Sequence, residues 1–167
     1  MPIADALLPE FDQEMAATRR ILERTPEREA AWKPHPKSMA LGYLAVHLAE
    51  LPTWVPVTLT QTELDFNPPG GSKWTMPEFT TTKALVALFD ENVKKARAVL
   101  AKTSDKDFMV PWSLKNSGAV LFTLPRVAVI RSFVMNHLIH HRGQFTVYLR
   151  LRDVPVPSTY GPTADEQ

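Results

Sequence analysis

Three of the chain's five histidines stand within NHLIHHRGQF, residues 136–145. Imidazole nitrogens can ligate a transition metal, and spacing decides which of them could act together. An α-helix turns about 100° per residue, so His137 and His141 lie about 40° apart and about 6 Å along the axis, on one face. His140 is turned off that face. This i,i+4 pair is the geometry of the zinc-binding helix of metalloproteases, but Leu138 stands where HExxH needs its glutamate. A further histidine, His47 in HLAEL, occupies an inward slot of another helical stripe. One histidine on an apolar stripe is usually a hydrogen-bonded core residue. Three are harder to satisfy, because each unsatisfied buried polar group costs about 1–3 kcal/mol. A metal ion that takes the ring nitrogens as ligands offsets that cost. Three histidines and an open fourth position form the arrangement used for catalysis rather than for structural closure.

The neighbours of these histidines are weighed against blander roles. Gln144, three residues beyond His141, could hydrogen-bond a ligand or metal-bound water, or be a structural amide. Glu50, one turn after His47, could be a carboxylate supporting the site or a general base, although a solvated helix glutamate is the favoured reading. Asn136, His140 and Arg142 lie off the stripe and read as surface, interhelix or interface residues. His35, between two prolines, reads as exposed. Trp54, Trp74 and Trp112 could line a pocket or simply pack. Gly143 would allow a neighbouring backbone to approach.

The elements that must position these residues follow from periodicity. Leu7, Leu8, Phe11, Met15, Ile21 and Leu22 recur at three and four, giving a first amphipathic helix. After a proline-rich connection, Ser38 is a candidate N-cap for a second helix with Leu44, His47, Leu48, Leu51 and Val55 inward. Pro52 cannot donate to the carbonyl of Leu48, so that helix should bend or open there and leave room for a substrate. Residues 63–79, with Pro-Pro and Gly-Gly, read as a long loop and a candidate pocket wall. Leu85, Leu88, Phe89, Val93, Ala96 and Leu100 mark helix three, with Asp90–Lys94 and Glu91–Lys95 as outward pairs. FMVPWSLKNSGAVLF predicts a short β-hairpin turning at Asn-Ser-Gly. Helix four begins near Pro125 and places Ile130, Phe133, Val134, His137, His141, Phe145 and Tyr148 inward, ending around Leu151. An irregular tail follows. The expectation is an all-α single domain over residues 1–167, a four-helix bundle with that long loop and that hairpin.

Composition narrows the function. The net charge is +1 with basic and acidic residues interspersed, which argues against nucleic acid as partner. Without cysteine there can be no disulfide, thiolate metal site or cysteine nucleophile. MPIADALLPEFDQEM lacks the basic region and apolar run of a signal peptide, and no stretch is long enough to span a bilayer, so a cytoplasmic protein free of membrane is expected.

HLAEL, NHLIHHRGQFTVYLR, the tail PVPSTYGP and WKPHPKSMALGYLAVHL together resemble the DinB-like superfamily of bacterial metal-binding four-helix bundles. The likeness covers most of the chain, and the histidine-rich segment joined to Arg-Gly-Gln is its most specific part. It implies a divalent metal, zinc or nickel, held by His47, His137 and His141, and a homodimer. Some relatives are thiol-dependent S-transferases or isomerases using bacillithiol, mycothiol or glutathione. The leading expectation is a metal-dependent enzyme of transferase or hydrolase type, in which the ion polarises a thiol, water or carbonyl of a small-molecule substrate. A low-molecular-weight thiol is then a candidate cosubstrate. The alternative is a metal-binding stress-response protein without turnover. A haem bundle would leave one histidine unexplained, and a di-iron site lacks paired inward Glu-x-x-His motifs.

Overall fold

The computed structural model describes residues 1–71 and 75–167. Apolar stripes at helical spacing form four rods, and two of the four are interrupted. α1 (Ile3–Leu22) buries Leu7, Phe11, Met15, Ile21 and Leu22, and leaves Leu8 half-buried. The second rod is α2 (Leu41–Glu50), a 3-10 turn (Leu51–Thr53) and α3 (Trp54–Thr60). α4 (Thr82–Leu100) is capped by the Thr81 hydroxyl, which accepts from the Ala84 amide. The fourth rod is α6 (Arg126–Val129), a π-helical turn (Ile130–Met135) and α7 (Asn136–Leu151). α5 (Asp105–Phe108) is an additional short helix, so the helix count exceeds the four expected. α4 packs against α1, α2 and α3, while α7 packs against α1 and α2.

Each interruption has a local cause. Pro52 removes one amide from the helical ladder, and the helix breaks where the proline predicted a bend or opening, the chain tightening there into a 3-10 turn. In the fourth rod, the Ser132 hydroxyl donates to the Ala128 carbonyl at 2.6 Å. Such a bond from a serine hydroxyl to the carbonyl four residues earlier accompanies bending of helices.

Several expectations are corrected. Ser38 does not cap α2. The N-cap is Ala40, and the first amides of α2 are met by backbone instead, Leu41 donating to Trp32 and Gly42 to Ala30, both at 2.9 Å. The close backbone approach belongs to Gly42, where a Cβ would lie 3.0 Å from that of Ala30 and 3.1 Å from that of Phe79. Gly143 has nothing within 4 Å of such a Cβ, because it faces outward on α7. Glu91 and Lys95 pair at 3.2 Å, but Asp90 is drawn across to Arg19 on α1 rather than to Lys94.

The hairpin forms from β2 (Pro111–Asn116) and β3 (Ala119–Pro125). Its turn places Ser117 and Gly118 at φ of 51° and 81°, the left-handed pair that a tight right-twisted hairpin requires. The segment expected to be a long loop contributes β1 (Glu63–Asp65), which pairs in parallel with β2 in a sheet ordered β1-β2-β3. Asp65 then locks the turn, its carboxylate accepting from the amides of Ser117 at 2.9 Å and Gly118 at 2.7 Å. Trp112, fully buried, packs in a second small core under this sheet with Leu114 and Val129. Among the described residues, no helix is long and apolar enough to cross a membrane.

Of the surface, interhelix and interface roles open to Arg142, the structure gives the interhelix one, with the side chain only 2% exposed. Its guanidinium meets the Glu14 carboxylate at 2.6 Å and donates to the Glu14 carbonyl at 3.1 Å and the Thr18 hydroxyl at 3.3 Å. Tyr160 closes the group from the tail. Its hydroxyl donates to Glu14 and accepts from Arg142, and its ring lies 5.1 Å from the guanidinium. Asp165 and Glu166 anchor the rest of the tail through Arg150 and Arg20. Removing one member of a buried ion pair strands its partner's charge, which costs about 3–5 kcal/mol. Arg142→Met should therefore lower the unfolding free energy by about 3 kcal/mol in urea titration. The double variant Glu14→Leu/Arg142→Met should recover most of that loss.

Candidate metal centre

α2 and α7 bring together the three histidines that the stripes predicted. His47 approaches from α2, while His137 and His141 lie one turn apart on α7, just beyond the π-helical turn. The Nε2 atoms of His47 and His137 are 3.3 Å apart, and those of His137 and His141 are 2.8 Å apart. One ligand atom from each ring fits within a 4.8 Å span. Two imidazole nitrogens about 2.05 Å from a tetrahedral ion would be about 3.3 Å apart, so the donor set fits a divalent metal. His35 and His140 take no part. His35 is exposed and accepts from the Lys37 amide, while His140 is exposed at the edge of the cluster, 5.0 Å from the His141 ring.

The orientation of the rings supports the same use. Gln144 Oε1 lies 2.7 Å from Nδ1 of His141, so Nδ1–H donates to it and the Nε2 lone pair is turned into the cluster. Of the two roles weighed for Gln144, support of a histidine is the one this contact provides. Nδ1 of His137 is buried without a hydrogen bond of good geometry, although the Phe133 backbone one turn earlier acts weakly upon it. Glu50 is buried rather than solvated. Its carboxylate accepts from Asn92 at 3.1 Å, and among the described residues no hydrogen bond joins it to a histidine.

Burial sets the protonation of the rings. It pushes His47 down to about 4, helped by the charge that His141 and His137 would carry. His137 is likewise pushed down to about 4 by burial and then by His141. Burial also lowers His141, against the opposing hydrogen bond from Gln144. Three neutral rings near pH 7 present three lone pairs to a cation.

An aromatic file leads away from this cluster. His137 stands 5.6 Å from Phe133, Phe133 5.2 Å from Trp54, and Trp54 5.6 Å from Phe66, measured between ring centroids. Trp54 and Phe66 border a cavity of about 500 Å³ also lined by Thr53, Val57, Leu64, Asp65 and Asn67. The cavity lies beside the interruption at Pro52, as the expected opening of helix two required. Of the three tryptophans considered, Trp54 lines it, Trp112 is core, and Trp74 lies outside the described residues. Residues 64–67 of the predicted pocket wall do form one side. The sequence places Phe133 only on the inward stripe of helix four, and Phe66 only within the 63–79 segment, because single phenylalanines carry no signal beyond packing.

A family model described as the DinB superfamily matches residues 10–145. The chain belongs to that superfamily. An uncharacterised protein of Bacillus subtilis (strain 168), YrdA, is 24% identical over 162 residues, which cover 97% of this chain and 90% of YrdA. The crystal structure of a DinB-like protein from Bacillus cereus ATCC 10987 superposes with a TM-score of 0.72 at 23% identity, covering 95% of this chain and 98% of that one. A second DinB-like protein, YjoA of Bacillus subtilis, gives 0.68 at 18% identity, with 97% and 99% covered. At these identities the solved structures establish a shared fold.

The depressed histidines link stability to pH. Where the folded rings remain neutral and the unfolded ones are charged, protons favour the unfolded chain. The metal-free protein should be most stable above the ordinary histidine value of 6.5, lose stability as pH falls from there to about 4, and level off below that for these groups. Urea titrations of the chelated protein across this range would measure the slope. In His47→Ala/His137→Ala the slope should become shallower.

Proposed function

We propose that His47, His137 and His141 bind one divalent metal ion per chain and that the protein is a metal-dependent enzyme acting on a small molecule, by thiol transfer in preference to hydrolysis. The convergence of three neutral imidazoles, one of them oriented by Gln144, is the observation that carries this reading. Imidazole donors suit zinc and nickel. When bound, such an ion would supply Lewis-acid charge that favours the ionised form of a thiol or of water.

The chain's own residues shape which of these it serves. With no cysteine, the sulfur nucleophile has to arrive as a low-molecular-weight thiol, for which bacillithiol, mycothiol and glutathione are candidates. The HExxH glutamate is missing, and Glu50, the carboxylate one turn from His47, is engaged by Asn92. A thiol needs less help than water in losing its proton at neutral pH, since its ordinary pKa is about 8.5. The histidines would hold the cation, Gln144 would fix the His141 tautomer, and the aromatic file would keep one side of the site dry.

Single alanine substitutions at His47, His137 or His141 should each remove most of the metal measured by elemental analysis, while His35→Ala and His140→Ala keep it. Gln144→Ala should retain metal at an affinity lowered by about tenfold or more. Wild-type metal content in His47→Ala would dismiss the site between helices. Zinc- and nickel-loaded protein should turn over an electrophilic acceptor only when a thiol is present, and His141→Ala should abolish that turnover. Ester or amide cleavage without thiol would replace transfer with hydrolysis. Metal binding without reaction in either assay would leave a non-catalytic metal-binding protein.

A further inference from the structure

The cavity beside Trp54 is built for a particular kind of molecule. Trp54 lies seven residues beyond His47 on the same rod, about 10 Å along its axis, and Phe133 lies one turn before His137 on the other. Those two aromatic side chains, one from each rod, stand between the cavity and the histidines, with His137 5.6 Å from Phe133 and Phe133 5.2 Å from Trp54 between ring centroids. Its volume of about 500 Å³ falls within the range of small-molecule sites. The Trp54 and Phe66 rings, inclined at 59°, offer two aromatic faces, with Val57 and Leu64 adding apolar surface.

The polar end of the cavity is largely engaged within the protein. The Thr53 hydroxyl donates to the Glu50 carbonyl at 2.7 Å, and Asn67 Nδ2 donates to Asn116 at 2.7 Å. The Asp65 carboxylate accepts from the amides of Asn67, Ser117 and Gly118. Burial works against its ionisation, but those amides and Lys115 outweigh it and hold its pKa below the usual value, so it is charged at neutral pH. What this end offers a ligand is mainly acceptor oxygen and negative charge.

We propose that this cavity binds the aromatic body of the acceptor substrate, in an uncharged or cationic form, with its hydrogen-bond donor toward Asp65 and its far side toward His137. This rests on reading the three histidines as a metal centre, but cavity occupancy can be measured separately from metal content. Anionic aromatic molecules are excluded by Asp65, and non-aromatic ones gain nothing from the Trp54 and Phe66 faces.

The test uses the full chain loaded with zinc or with cobalt(II), and three probes of one shape: 1-naphthalenemethanol, 1-naphthylmethylamine and 1-naphthoate. By proton NMR titration the alcohol and the amine should bind about tenfold more tightly than the carboxylate. Their resonances should broaden in the cobalt protein well beyond the zinc protein, because paramagnetic relaxation acts across the two rings that separate the cavity from the histidines. Trp54→Ala should weaken both by about tenfold. Leu64→Trp, which fills the cavity while leaving Trp54 in place, should do the same and decides the matter if Trp54→Ala fails to fold. Equal affinity for the carboxylate, or wild-type affinity in Leu64→Trp, would overturn the proposal. Saturable binding without cobalt-dependent broadening would also overturn it, by placing the probe elsewhere. Cobalt retained with no probe bound removes the cavity proposal and spares the metal centre. Probe bound to protein that holds no cobalt removes the metal centre and, with it, the role of the cavity as an acceptor site.

Discussion

Three imidazoles share one interface between α2 and α7, and that crowding is the constraint around which the molecule is arranged. Rings this close and this shielded cannot all be protonated, because each charge would be poorly solvated and repelled by the next. They are therefore held neutral at an energetic cost, and the apolar packing of four helical rods has to exceed it. Leu44, Leu48, Leu138 and Phe145, fully buried around the cluster, supply that packing.

Holding α2 and α7 at this separation requires fixed points outside the cluster. Gly42 lets α2 start against the backbone at Ala30, where a side chain would force the helix away. Arg142, the residue after His141, is clamped to Glu14 and Thr18 on α1 and covered by Tyr160. The ring of His141 is thus positioned from two directions, by Gln144 on its own helix and by the ion pair that seats the next residue. A buried pair of this kind contributes little to net stability compared with an apolar one, but it specifies which face of α7 meets α1. That specification fixes the direction in which His137 and His141 point.

The two rods that carry the ligands are also the two that depart from α-helical geometry, and both do so within about two turns of the histidines. Neither departure disturbs the i,i+4 relation of His137 and His141, since α7 is regular from Asn136 onward. They act on what surrounds the ligands. The 3-10 turn ends directly before Trp54, the first residue of α3, and the π turn carries Phe133, so the aromatic residues between cluster and cavity lie in or directly after the irregular segments. Rigid ligands on regular helix, beside a shaped space at irregular backbone, is a division suited to a fixed cation and a variable organic partner.

Much of this was fixed by local pattern. The helical stripes, the turn at Asn-Ser-Gly, the interruption at Pro52 and the inward slots of His47, His137 and His141 follow from periodicity and backbone chemistry, which act between residues near in sequence. Tertiary structure decided what depends on distant partners. β1 exists because β2, some fifty residues later, offers it hydrogen bonds, and Glu-Leu-Asp alone does not announce a strand. Spacing left Arg142 open between surface, interhelix and interface roles because its partners, Glu14 and Tyr160, lie on α1 and in the tail. The burial of Glu50 against Asn92, and the capping of α2 by Trp32 and Ala30 in place of Ser38, have the same origin. A side chain's type and spacing determine which face of a helix it occupies. What that face meets is settled only when the rods pack, because desolvation and hydrogen-bond satisfaction are properties of the assembled neighbourhood.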